Sequence, residues 1–146
     1  MGTEDNKAKI LEACKKAYDA QKANCNFFLE AVFFDVTNVT LTGTADDLVE
    51  KFSSDAGWKK VERVQAIADQ EAGKFVVAGL TSSDHADDRE HGHVAVLVSG
   101  PLYHSKYPVV WCGGGSLGRS NGNKTVGEVW ARSDRDNVKY FTYKNF

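Results

Sequence analysis

The sequence predicts an α+β fold, with helices first and mostly antiparallel strands after them. Apolar residues recur at helical spacing through the first half of the chain. Beyond Gly73, short apolar runs bounded by turn residues take over. Helical and strand segments never alternate in the βαβ manner, and no segment repeats.

Residues 4–20 read as an amphipathic helix, with Ile10, Leu11, Cys14 and Tyr18 at helical spacing. Asn24 stands where it can cap a second helix, residues 25–34, whose apolar stripe is Phe28, Ala31 and Val32, widened by Phe27 and Phe34. "NVTLTGT" is a turn-rich break. Thr44 then caps a short helix, "ADDLVEKF", with its acids in the favourable first turn. A further helix over residues 61–72 ends at Gly73. "KFVVAGL", "HVAVLVSG" and "PVVWCG" read as strands, and "GGGSLGRSNGN" as a long loop. "VGEVWA" and "VKYFTY" read as later strands, the first of them short and turn-linked.

A length of 146 residues suits one domain, 1–146. A net charge of −2 gives no basic field to attract nucleic acid or anionic lipid. The opening "MGTEDNKAKI" lacks the apolar core of a secretory signal, and no run is long enough to cross a bilayer. A soluble protein is expected, with neither nucleic acid nor membrane as partner. Cys14, Cys25 and Cys112 form neither a disulfide framework nor a zinc pattern, so at least one thiol is expected free.

Residues 114–118 fit G-x-S-x-G, but a nucleophile elbow needs a later histidine, and all four histidines precede Ser116. Gly113, Gly115 and Gly118 fit G-x-G-x-x-G, but no helix follows. The loop reads instead as one whose missing side chains let a substrate backbone approach. "DHADDREHGH" gathers His and Asp, yet its spacing matches no metal-ligand pattern, and a solvated acidic loop is the plainer reading. His93 opens an apolar strand and reads either as a structural histidine or as one with a ring nitrogen in a cleft. Cys25 also reads two ways. It is a small apolar residue of the core, or a nucleophile whose pKa is lowered at a helix N-terminus and which pairs with a histidine.

"NCNFF" resembles the [DN]-C-S-G-F nucleophile motif of the NlpC/P60 peptidoglycan hydrolases, and "GHVAVLVSG" resembles their histidine strand. "GHVAVLVSGPLYHSKYPVVWCGG" with "VGEVWARSDRDNVKYFTY" resembles more closely the amidase effectors of the type VI secretion system, of the first amidase effector family. "ILEACKKAYD" and "GKFVVAGL" fit as well, and the likeness is densest from Gly73 onward.

The resemblance implies a papain-like domain that cleaves the peptide stem of peptidoglycan between D-glutamate and meso-diaminopimelate. It implies Cys25 as nucleophile, His93 as general base, and Cys112 at the place of the group that orients the histidine. Trp111, Gly113, Gly114 and Ser116 would line the cleft. Arg132 and Arg135 are candidates to meet stem carboxylates, with a solvated role the plainer one. No metal or cofactor is expected. The chain would act as a monomer, made in the producer's cytoplasm and delivered without a signal peptide by the type VI secretion apparatus into a rival's periplasm. A cognate immunity protein would plug the cleft.

The sequence departs from the motif at Asn26-Phe27, where Ser-Gly is usual, and the loop "TSSDHADDREH" is long and acidic. Two other readings remain open: a catalytically silent homologue that binds a cell-wall peptide or partner protein, and a metal-dependent hydrolase.

Overall fold

The computed structural model describes residues 2–87, 90–114 and 118–146. Helix α1 (Thr3–Gln21) buries Ile10, Ala13, Cys14 and Ala17, the stripe that an amphipathic helix turns to a core. Helix α2 (Cys25–Thr37) buries Phe28, Leu29, Val32, Phe33 and Val36 and stops at Asn38, whose φ of 62° is left-handed. Asparagine tolerates that conformation better than most residues. Helix α3 (Ala45–Ser54) opens on a reciprocal cap. The Thr44 hydroxyl accepts from the Asp47 N–H at 3.1 Å, and the Asp47 carboxylate accepts from the Thr44 N–H at 3.0 Å. Helix α4 (Arg63–Glu71) follows a strand, β1 (Trp58–Val61).

The remaining strands are β2 (Val76–Leu80), β3 (His93–Leu97), β4 (Val109–Cys112), β5 (Ser120–Thr125) and β6 (Lys139–Tyr143). The sheet runs β1-β6-β2-β3-β4-β5, and each neighbouring pair is antiparallel. Both faces are covered. Val77, Val94, Val96, Val109 and Phe141 meet α1, α2 and α3 in one layer. Ala78, Leu80, Ala95, Leu97, Val110, Cys112 and Tyr140 meet Ala66 of α4, the segment after β5 and Tyr107 in the other. Burial on two sides explains why β2 and β3 read as unbroken apolar runs. Among the described residues, no helix is long and apolar enough to cross a membrane.

Three elements differ from the sequence expectation. β1 carries two exposed lysines at the sheet edge, so its apolar signal is weak. β5 begins inside the expected loop and runs two residues beyond it; it is an edge strand of Ser, Asn, Gly, Lys and Thr with only Ser120 and Thr125 buried. "VGEVWA" is a single helical turn, α5 (Val126–Val129), because Glu128 reaches back to accept from the Thr125 N–H at 3.0 Å.

Candidate active site

Strands β3 and β4 pair at Val96↔Trp111 and Leu97↔Val110. The pairing goes no further toward the start of β3, and there the turn between α1 and α2 fits against the end of β4. The Gly114 N–H donates to the Lys22 carbonyl at 2.9 Å. A Cβ on Gly113 would lie 2.4 Å from the Gln21 carbonyl oxygen and 2.6 Å from that of Asn24. At Gly113 the backbone that approaches is therefore the chain's own. That contact seats the first residue of α2, Cys25, beside the first residues of β3.

Cys25 Sγ lies 3.9 Å from the Gly92 carbonyl. Asn24 is the N-cap of α2, but its side chain makes no capping bond; its carbonyl accepts from the Phe28 N–H at 3.0 Å. The expectation of a lowered thiol pKa is not met. Burial pushes the Cys25 thiol up, outweighing the N–H groups of Val94, Asn26 and Cys25 that favour the thiolate, and the Asp46 charge adds to the rise. The helix N-terminus is there, but desolvation exceeds it.

His93 begins β3 and shares the sheet face of Ala95 and Leu97, since alternate residues point the same way. Burial lowers its pKa to about 4, with the Gly118 backbone acting the other way and the His85 charge adding to the fall. Glycines flank the imidazole: a Cβ on Gly114 would lie 3.2 Å from Cε1, and one on Gly118 3.4 Å from it. Gly114, at φ +148°, also needs the conformational freedom of glycine. The Trp130 ring closes another side, edge-on to the imidazole with centroids 4.9 Å apart. His93 Nε2 is buried and has no hydrogen-bond partner among the described residues.

Cys112 lies on the same sheet face as His93. It is fully buried, and its thiol donates to the Gly118 carbonyl at 3.0 Å. Burial pushes its pKa far up, so it is a neutral thiol. Gly118 thus stands between Cys112 and the histidine. Trp111 faces the helices, edge-on to Tyr18 of α1 with centroids 5.7 Å apart, in the layer against which Cys25 also packs. Ser116 lies outside the described residues.

Asn26 turns its amide to the Gly43 carbonyl at 3.1 Å, and Phe27 is half exposed. The first part of the acidic loop, residues 81–85, is pinned to the body of the protein. Asp46 accepts from the N–H and hydroxyl of Ser82, His85 Nδ1 is 2.8 Å from the Thr81 carbonyl, and Asp84 pairs with Lys139. His91 is exposed. Among the described residues, no three His, Cys, Asp or Glu side chains gather as a metal-binding group.

The sequence reading missed Trp130 and Asp46, and it noticed Gly118 only as part of the glycine-rich loop. Trp130 carried a faint signal, as a lone tryptophan in a polar segment; Asp46 read only as an acid in the first turn of a helix.

A cysteine-bearing helix set against an antiparallel sheet that presents a histidine is the arrangement of a papain-like α+β fold. No protein-family model matches the chain. It is 38% identical over 144 residues to the peptidoglycan amidase Tse1 of Pseudomonas aeruginosa strain PAO1, a match covering 92% of this chain and 88% of that protein. The chain belongs to the family of that amidase, the same amidase effector family its sequence resembles.

Proposed function

We propose that the chain is an enzyme that hydrolyses an amide bond in the peptide stem of peptidoglycan, with Cys25 as nucleophile and His93 as general base. The single observation that supports this most is the seat of Cys25. Its sulfur lies at the first turn of α2, beside the strand that His93 opens, with the N–H groups of Cys25, Asn26 and Val94 directed toward it.

The pKa directions describe the resting state. With the thiol raised and the imidazole lowered to about 4, both groups are neutral at pH 7. The proton then moves as the bond forms. The Cys25 proton passes to the His93 ring while sulfur attacks the carbonyl carbon, and the carbonyl oxygen becomes an oxyanion that the same N–H groups stabilise. Collapse breaks the C–N bond, and the imidazolium gives its proton to the departing amine. Water, deprotonated by His93, then cleaves the thioester and restores the thiol.

The scissile bond in this reading is the one between D-glutamate and meso-diaminopimelate. Delivery is by the type VI secretion apparatus, action is in the periplasm of the target cell, and a cognate immunity protein covers the cleft. The resemblance supports these four readings, and the identity to a peptidoglycan amidase supports peptidoglycan as the substrate.

Mass spectrometry of muropeptides after digestion tests the reading, because product masses fix the bond. Cys25→Ala and His93→Ala should each abolish cleavage while the far-ultraviolet spectrum stays native. Full activity in Cys25→Ala overturns the mechanism. Wild-type protein that binds sacculi and cuts nothing would make the chain a silent binding homologue.

A further inference from the structure

A second polar cluster lies on the His93 face of the sheet, away from the thiol. Residues of β1, α4, β6 and the loop before β6 line a surface pocket of about 290 Å³. Two guanidiniums share the ring of the neighbouring Tyr107, that of Arg135 at 4.9 Å from its centroid and that of Arg63 at 6.0 Å. Two acids, Glu62 and Asp136, line the pocket beside four cations, Lys60, Arg63, Arg135 and Lys139; Asp136 is already committed, accepting from the Tyr107 hydroxyl at 2.5 Å and pairing with Lys106 at 2.9 Å. Among the described residues, Arg135 donates to the Gly127 carbonyl alone, at a long 3.4 Å. The Nε atoms of Arg63 and Arg135 are buried and have no hydrogen-bond partner among the described residues.

Tyr140 gives an independent sign of a ligand. It lines the pocket, is 4% exposed, and its hydroxyl has no partner among the described residues. Buried polar groups are nearly always hydrogen-bonded, and a hydroxyl beside two guanidinium forks makes a set of donors for an anion. Two forks of planar N–H groups suit a carboxylate, which takes paired hydrogen bonds.

The strand register sets the distance. Tyr140 pairs with Ala78 and Ala78 with Ala95, so Tyr140 is two strands from β3 and two residues along from His93. That separates the two α-carbons by roughly 12 Å. A polymer held at the catalytic pair would reach the pocket by passing over the residues that cover this face, Ala66, Val126, Val129 and Trp130.

We propose that Arg63, Arg135 and Tyr140 form an exosite for a carboxylate of the peptidoglycan peptide stem other than the bond being cut. The proposal rests on the peptidoglycan reading. Its role is to hold the polymer, so it acts on substrate preference and on the salt dependence of binding.

The test is co-sedimentation with purified sacculi of Cys25→Ala protein, alone and combined with Arg63→Gln and Arg135→Gln. The pair of substitutions should weaken binding by about tenfold, the scale of one lost charge-assisted contact. It should also flatten the salt dependence. Tyr140→Phe, which keeps the ring and its packing, should weaken binding by about threefold, the loss of one hydrogen bond. Sacculi with their carboxylates amidated should bind the parent protein and the Arg variant alike. In otherwise wild-type protein, the Arg substitutions should lower the preference for sacculi over short stem fragments. Equal binding by the parent, the Arg variant and Tyr140→Phe overturns the proposal, as does tight, Arg-dependent binding to amidated sacculi. If the wild type cuts no muropeptide yet binding still depends on the Arg pair and on free carboxylates, the catalytic reading fails and the exosite stands.

Discussion

Trp130 meets the imidazole of His93 edge-on, with ring centroids 4.9 Å apart. The indole is itself 4% exposed, so it walls the histidine from water. Trp130→Leu removes that wall. Water then reaches the ring, its pKa climbs from about 4 toward the ordinary 6.5, and the geometry loosens. The expected outcome is a roughly tenfold fall in kcat with an acid limb displaced to higher pH. Trp130→Phe, which restores an aromatic edge, should recover most of both. A lowered rate with an unmoved acid limb would show that the indole only supports the fold.

Stability should follow the same histidine. The folded pKa is about 4 and the ordinary value 6.5. Between them the unfolded chain binds a proton that the folded chain refuses. The contribution is thus fully present above about 6.5 and drains away as pH falls toward 4. Its size is at most roughly 3 kcal/mol, because His93 is half-buried and water screens part of it. Thermal melting of wild type and His93→Gln at pH 7 and pH 4.5 reads it. The wild type should lose more Tm than the variant between the two, and parallel losses would refute the assignment.

Cys112 offers a sharper discrimination. Its thiol reaches the Gly118 carbonyl, while the Gly118 backbone is the group that favours a charged His93. Cys112→Ala should therefore lower kcat by less than about tenfold, far short of the loss at Cys25. A loss as deep as that of Cys25→Ala would make the thiol itself part of the machinery.

Alkylation orders the three thiols. Cys14 and Cys112 are fully buried and pushed far up, whereas Cys25 is raised but partly exposed. With iodoacetamide at pH 7, Cys25 should react first, yet more slowly than an exposed model thiol, because the thiolate is the attacking form. Peptide mapping over time reads the order, and faster reaction than the model thiol would contradict the raised pKa.

Gly113→Ala tests the seat of Cys25. The new methyl would lie 2.4 Å from the Gln21 oxygen and 2.6 Å from that of Asn24, both backbone atoms that cannot swing aside. A loss of about 2–3 kcal/mol is expected, with activity falling beyond what the unfolded fraction explains. Denaturant melts paired with rates at low temperature separate the two.

The α+β architecture was legible because the buried elements state their period plainly. Phe28 and Val32 mark α2, which runs three residues past its expected end, and Val76 to Leu80 mark β2. The edge strands β1 and β5 were not, because their apolar content is small and their place is set by partners distant in the chain. The capping pair at Thr125 and Glu128 was readable as a helix start, but valines on either side favoured a strand. Cys25, His93 and Cys112 were legible as candidates through motif likeness. Their surroundings were not: whether burial or the helix end wins at Cys25 depends on how much protein covers the sulfur, and spacing does not encode that.

The bond between Gly114 and Lys22 links parts of the chain that are made at very different times. Cys25 leaves the ribosome early, but the contact at Gly92 lies 67 residues later and the glycine seat later again. A nascent or truncated chain that stops before β4 carries the thiol with nothing to hold it. The seat of Cys25 is thus assembled only once synthesis has passed β4, so the thiol acquires its surroundings as one of the last events of folding rather than one of the first.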